Sequence, residues 1–240
     1  MITLYTFGPM FGIPDPSSFC MKGQVLLKMA DLDFQTATAD LRKAPKKKAP
    51  YLEDQGNIIA DSTFIRKYLE QSYNIDFDPG LSLAEKGVAW AFEKLCEDNL
   101  YWAVVHSRWM VDENFEIGPS HFFNAIPAVV RPGIRAMVRR QVRRDLKGQG
   151  MGRHTSGEID ELATDGLNSI AAFLADKPYL MGGQPCGADA SVFSLLTGLM
   201  CDWFQTPMRE SALEHENLVA YRDRLMVRYF PDFAPTSDQD

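Results

Sequence analysis

Ser17-Ser18-Phe19-Cys20 is the first run in this sequence whose residue types and spacing suit chemistry. It stands where a short β-rich segment, residues 2–6, gives way through a Gly- and Pro-rich stretch, 8–16, to a helix. That helix is marked by Phe19, Met21, Val25, Leu26, Met29 and Ala30, apolar positions at near-helical spacing. The run therefore falls at a helix N-terminus, where free N–H groups and the dipole favour an anion. A Cys-x-x-Cys pair here would put a low-pKa thiolate first in the helix. Ser17 occupies that first position instead, which rules out a disulfide with Cys20. What remains is a hydroxyl able to donate a hydrogen bond to a bound thiolate. Ser17 or Ser18 serves equally as an N-cap, and the two roles are compatible. Cys20, one turn into the helix, reads as a buried small hydrophobe, with direct redox chemistry as the alternative.

Two further segments carry recognition chemistry. In Lys48-Ala49-Pro50-Tyr51 a proline immediately precedes a strand, and a cis bond there would leave the N–H and C=O of Ala49 free to pair with an extended peptide. Ala60-Asp61-Ser62-Thr63 closes a strand and opens a helix, whose N–H groups and the Ser62 hydroxyl attract a carboxylate. Asp61 can pair with an α-amino group, so one short segment reads both charges of an amino acid. A plain helix cap is the alternative reading of Asp61 and Ser62.

The elements that must position these residues follow from periodicity and punctuation. Strands are expected at 2–6, 34–38, 51–53 and 57–60, the last two joined by a tight turn at Asp54-Gln55-Gly56. Between the second and third strands, KAPKKKAP allows at most a short helix around 41–44. Phe64, Ile65, Tyr68 and Leu69 form one face of the helix capped at Asp61. This implies a domain of residues 1–72, a linker at 73–82 containing Pro79 and Gly80, and a domain of residues 83–240 that is helical throughout. Helices are expected at 83 to about 114, 131–147, 156–175, 187–201 and 212–229. Thr155 and Glu158 have the spacing of a capping box.

Composition narrows the function classes. With 45% hydrophobic and 24% charged residues, the chain is ordinary globular material. The net charge of −7 argues against nucleic acid as a partner, because cationic side chains supply most of that affinity. No apolar run approaches the roughly 18 residues of a membrane span, and the N-terminus lacks an export signal. Cys20, Cys96, Cys186 and Cys201 are too scattered for a disulfide framework, and with the rest this suits a reducing cytoplasm. His106, His121, His154 and His215 lack metal-ligand spacing, so no metal is expected. Arg131, Arg135, Arg139, Arg140, Arg143, Arg144 and Lys147 line one side of a helix opposite Ile134, Met137, Val138, Val142 and Leu146, and read as a solvated face, with attraction of an acidic substrate or partner as the alternative.

In this order and spacing, the three segments resemble the glutathione transferase superfamily over essentially the whole chain. PDPSSFCMK, APKKKAPYLED, IADSTFI, GQGMGRHTSGEI and RLMVRYFPD are similar to the bacterial relatives of the failed axon connections and metaxin proteins. The resemblance implies an α/β thioredoxin-like N-terminal domain and an all-α C-terminal domain. It implies Ser17 as the partner of the glutathione thiolate, Ala49 with Pro50 as the peptide clamp, Asp61 with Ser62 as the γ-glutamyl site, and Lys48 at the other end of glutathione. Glutathione would serve as cosubstrate, a small apolar electrophile or peroxide as second substrate, and a homodimer as the working form. The rivals are a noncatalytic scaffold of the same fold and a glutathione-dependent thiol exchanger using Cys20. Many catalytic members carry a tyrosine on or just after strand one, which makes Tyr5 the alternative hydroxyl, and the 8–16 loop is longer than in most classes. Trp90, Trp102, Trp109 and His106 fall on the first long helix, which in the family lines the electrophile pocket and subunit interface, although core packing is the default reading of such residues. The family's Ser/Thr-x-x-Asp capping box falls at Cys186-Gly187-Ala188-Asp189. A thiol caps weakly there, and Asp189 is structural.

Overall fold

A computed structural model of the chain describes residues 1–234. The N-terminal half runs β1 (Ile2–Thr6), α1 (Ser18–Met29), β2 (Phe34–Thr38), β3 (Tyr51–Asp54), β4 (Asn57–Ala60) and α2 (Ser62–Tyr73). The sheet order is β2-β1-β3-β4, with β2 parallel to β1, and β3 antiparallel to both β1 and β4. This is the thioredoxin-like arrangement that the resemblance implies. The β3–β4 turn is two residues, Gln55 and Gly56, both at positive φ (49° and 82°), and β3 therefore extends through Asp54. Positive φ at both positions suits the right-handed twist of the flanking strands. Residues 41–44 form turns rather than the short helix that was allowed, and two nearby prolines account for it.

The C-terminal half holds α3 (Leu83–Lys94), α4 (Tyr101–Met110), α5 (Asp112–Ile117), α6 (Arg131–Gln149), α7 (Ser156–Leu174), α8 (Gly187–Leu199), α9 (Pro207–Leu213) and α10 (Glu216–Tyr229). The single helix expected over 83–114 is interrupted twice. Leu95–Leu100 is π-helical, with the Tyr101 N–H bonded to the Cys96 C=O five residues back, and Val111 is extended at φ −80°, ψ 122°. The inserted residue turns α4 relative to α3 without ending the helical path. The helix expected over 212–229 is split at Glu214 and His215. Its first part begins earlier, where the Thr206 hydroxyl accepts from the Arg209 N–H and Pro207 takes the first helical position. The Thr155–Glu158 capping box forms as expected, and Ser82 with Glu85 makes a second one. The final residues of the expected helical domain, 235–240, lie outside the described residues.

One apolar core crosses both halves, from Leu4, Leu52 and Ile65 to Leu167, Phe193 and Tyr221. Helix α1 lies between the sheet and α8, so residues 20–27 are all buried and its polar members must be satisfied inside the protein. Lys22 meets Glu93 at 2.9 Å and Glu97 at 2.6 Å, and the Ser191 hydroxyl donates to Glu97 at 3.0 Å. Arg66 of α2 reaches Glu93 at 3.3 Å, Glu70 at 2.9 Å and Asp78 at 2.5 Å. The 73–82 linker is thus packed rather than solvated: Phe77 enters the core, and Asp78 also accepts from the Gly187 N–H at 3.0 Å. Asp189 accepts from the N–H groups of Cys186 and Leu180 and from the Tyr221 hydroxyl, which holds the start of α8 despite the thiol at the cap.

Candidate functional site

The sheet register brings the three recognition segments together. Tyr5 pairs with Tyr51, and Tyr51 with Ala60, so the end of β1, the start of β3 and the end of β4 meet at one edge. Pro50 precedes Tyr51 and Asp61 follows Ala60, while Ser17 is tied to the end of β1 through Asp15, whose carboxylate accepts from the N–H groups of Phe7, Gly8 and Ser17. Asp61 is tied directly to the clamp, its N–H donating to the Pro50 C=O at 3.2 Å. The Ala49-Pro50 bond is cis, and β3 begins only at Tyr51, so among the described residues the Ala49 N–H has no backbone partner. Asp61 caps α2 by accepting from the Thr63 N–H at 3.0 Å, with its backbone at φ 85°, ψ 133°. Backbone held so far from the ordinary regions for a residue with a Cβ collects at ligand-binding sites. Ser62 is buried behind it, and Lys48 is exposed beside the clamp.

Ser17 caps α1, its hydroxyl accepting from the Cys20 N–H over a long 3.4 Å. The segment before it is anchored by Asp15, a residue that the sequence reading passed over. Its buried carboxylate accepts from Phe7 N–H at 3.0 Å, Gly8 N–H at 2.9 Å and Ser17 N–H at 2.9 Å. Burial pushes this carboxyl up to about 6, against the pull of those N–H groups. The signal was present as an aspartate between two prolines, Pro14-Asp15-Pro16. The long loop turns tightly at Phe11 and Gly12, both at positive φ, with Met10 and Ile13 bridged across them.

Both alternative hydroxyl and thiol candidates point elsewhere. Tyr5 alternates with Leu4, and since Leu4 packs into the core beside Gly23 of α1, Tyr5 faces the other side of the sheet. There its hydroxyl donates to Glu53 at 2.9 Å and its ring stacks on Tyr51 at 4.3 Å. The Glu53 bond and burial both raise its pKa. Cys20 is 0% exposed, and burial pushes its thiol well above the ordinary range, so it is not poised for thiol exchange.

An aromatic wall built on the segment between β1 and α1 joins the two halves. Phe11 packs edge-on to Phe204 at 5.3 Å and against Trp203 at 5.8 Å, and Phe7 lies 6.1 Å from Phe122. The Trp203 indole donates to the Ile117 C=O at 2.6 Å, and the Cys201 thiol to the Phe11 C=O at 3.3 Å. Of the expected helix residues, Trp102 packs on Tyr101 and Trp109 on Phe115, while Trp90 is exposed with Lys94 over its ring. On α6, Arg131, Arg135 and Arg139 are engaged with local carbonyls or with Glu116 and Asp112, and Arg140, Arg143, Arg144 and Lys147 face solvent. Among the described residues, no group of three or more His, Cys, Asp or Glu is placed to hold a metal, and no helix is long and apolar enough to cross a membrane.

Comparison with known proteins bears on the family and the fold. The glutathione S-transferase N-terminal domain model matches residues 18–114, and the C-terminal domain model matches residues 163–225. An isoprene-epoxide glutathione S-transferase of Rhodococcus sp. (strain AD45) is 30% identical over 238 residues, covering 95% of this chain and 99% of that protein. Failed axon connections of Drosophila melanogaster is 27% identical over 246 residues, covering 97% of this chain but 59% of that protein. Metaxin-1 of Mus musculus is 25% identical over 239 residues, with 89% and 74% covered. Among solved structures, the β-etherase LigF from Sphingobium sp. strain SYK-6 matches with a TM-score of 0.64 at 20% identity, covering 97% of this chain and 98% of that one. Human glutathione-S-transferase T1-1 matches at 0.61 and 16% identity, covering 97% and 86%. The chain belongs to the glutathione transferase superfamily, with Failed axon connections and the metaxins among its relatives.

Proposed function

We propose that the chain is an active glutathione transferase. Its γ-glutamyl carboxylate site is the N-terminus of α2 with Ser62, and Asp61 takes the α-amino group. Ala49, freed from the sheet beside Pro50, pairs with the peptide backbone, and Lys48 reaches the distal carboxylate. The observation that carries this reading is the placement of Ala49-Pro50 and Asp61-Ser62 at one sheet edge, joined by the Asp61–Pro50 hydrogen bond, with Ser17 tied to the neighbouring end of β1 through Asp15. The Ser17 hydroxyl, at the N-terminus of α1, donates to the sulfur and favours its anion. The thiolate then attacks an electrophilic carbon or peroxide oxygen, and the leaving oxygen or other group departs with the bonding pair and takes a proton from water. The aromatic wall and the similarity to the isoprene-epoxide enzyme favour a small apolar electrophile, an epoxide among them.

The rival reading is a noncatalytic scaffold, favoured by the similarity to Failed axon connections and the metaxins. Calorimetric titration of glutathione into the wild type, Asp61→Ala and Ser62→Ala separates the two. Binding that weakens sharply in both variants supports the transferase, and a wild type that binds nothing at millimolar glutathione supports the scaffold. We place the working enzyme in the cytoplasm as a homodimer in detoxification. Sedimentation at the 27.0 kDa of a single chain would count against the dimer.

A further inference from the structure

Arg108 of α4 turns its guanidinium across the boundary between the two halves. Its Nη1 donates to the Pro16 C=O at 3.0 Å and its Nη2 to the Gly198 C=O at 2.6 Å, and the group lies over the Phe204 ring, 4.6 Å from its centre. All three contacts are neutral. Among the described residues no carboxylate lies within ion-pair distance of Arg108, whereas Lys22 and Arg66 at the same boundary each meet at least two. Burial pushes the Arg108 pKa down. Withdrawing a cation from water without a counter-ion is costly, and an anion entering the cleft would relieve that cost.

The position says which anion. Pro16 directly precedes Ser17, so chain geometry keeps Nη1 within about 8 Å of the Ser17 hydroxyl. Resting on the reading above, in which the glutathione sulfur lies at that hydroxyl, we propose that Arg108 is the fixed positive charge that stabilises the bound thiolate, while Ser17 orients the sulfur. The S–H bond breaks, the proton leaves to solvent and the sulfur keeps the electron pair.

The other titratable groups facing this place are Asp15 in the loop, Cys20 on α1, Tyr101 on α4 and Cys201 after α8. Burial raises the last three, so they are neutral at neutral pH. Asp15, at about 6, is by then an anion that opposes a thiolate. Arg108 is the group of this set whose charge favours one.

The test is the ultraviolet absorbance of the thiolate of bound glutathione, followed against pH in the full chain, for the wild type and for Arg108→Lys, Arg108→Gln and Arg108→Met. Loss of the charge in the Gln and Met variants is expected to move the midpoint up by about one pH unit, so about tenfold less thiolate forms at pH values well below the midpoint. Arg108→Lys keeps the charge but not the two-pronged contact, and is expected to stay near the wild-type midpoint. Gln still donates to a carbonyl, so it decides the matter if the Met variant does not fold. An unmoved midpoint in a Gln or Met variant that still binds glutathione overturns the proposal and leaves the transferase reading intact. A wild type that binds no glutathione overturns both.

Discussion

Replacing Lys22 with methionine tests whether buried charge pairing holds α1 against the helical half. Lys22 is 1% exposed, Glu93 is 0% exposed, and the contacts to Glu93 and Glu97 are 2.9 Å and 2.6 Å. Methionine keeps most of the volume, so the loss reports electrostatics more than a cavity. Removing one partner of a buried pair costs about 3–5 kcal/mol, because the other stays buried and uncompensated. Arg66 still lies 3.3 Å from Glu93, and Lys94 lies 2.5 Å from Glu97. These neighbours place the expected loss near the low end, about 3 kcal/mol. Against a total stability on the order of 5–15 kcal/mol, that is a large fraction. Urea unfolding at neutral pH should show it as a lower midpoint at unchanged slope. Adding Glu93→Gln removes a buried carboxylate left with only its longer contacts, to Arg66 and Lys94, and should restore about 1 kcal/mol. The network also has an acid signature. Burial raises Glu97, but Lys22 and Lys94 more than offset it and hold the carboxyl below its ordinary 4.5. Its contribution is therefore complete above 4.5 and is lost as pH falls through the lower folded value, and Lys22→Met should shrink that acid-side loss. A single-variant loss below about 1 kcal/mol, or strictly additive losses in the double variant, would refute the reasoning.

Three further outcomes are expected. Asp15 titrates near 6 in the folded chain against 3.8 ordinarily, so the folded state holds its proton more tightly, and stability should fall by about 3 kcal/mol as pH rises through that window; urea midpoints for Asp15→Asn should lack this slope, and a slope that persists would assign it to other groups. Asp189→Ala strands the N–H groups of Leu180 and Cys186 and the Tyr221 hydroxyl in the core, which should cost at least about 3 kcal/mol; thermal unfolding close to that of the wild type would contradict it. Ser17→Ala loses only a long 3.4 Å cap bond, so stability should change by less than about 1 kcal/mol. Its turnover of glutathione with an epoxide should drop at least about tenfold, and unchanged turnover would remove the hydroxyl from the mechanism.

The parts of the fold and site that local pattern reveals are those that local pattern creates. The change from alternation in β1 to helical spacing after Ser18 marks a strand, a loop and a helix, and Asp61-Ser62 before an apolar face marks a cap. Because strand ends in this topology share one edge, Ser17, Ala49-Pro50 and Asp61-Ser62 can be brought together on paper before any coordinates exist. Helical period alone does not show the inserted residue in Leu95–Leu100, since one extra residue re-aims a face without breaking the apolar pattern. The buried charged residues escape local pattern for a related reason. A lysine in a helix reads as solvent-facing, and Lys22 is buried only because α8 covers the side of α1 that the sheet leaves open. Its partners at 93 and 97 look equally ordinary in their own helix. Each of the three breaks an otherwise apolar surface, and the meaning of that break lies in the others. Arg108 poses the same puzzle with one difference: among the described residues it meets backbone carbonyls of both halves and no carboxylate, and the answering charge proposed for it comes from outside the chain.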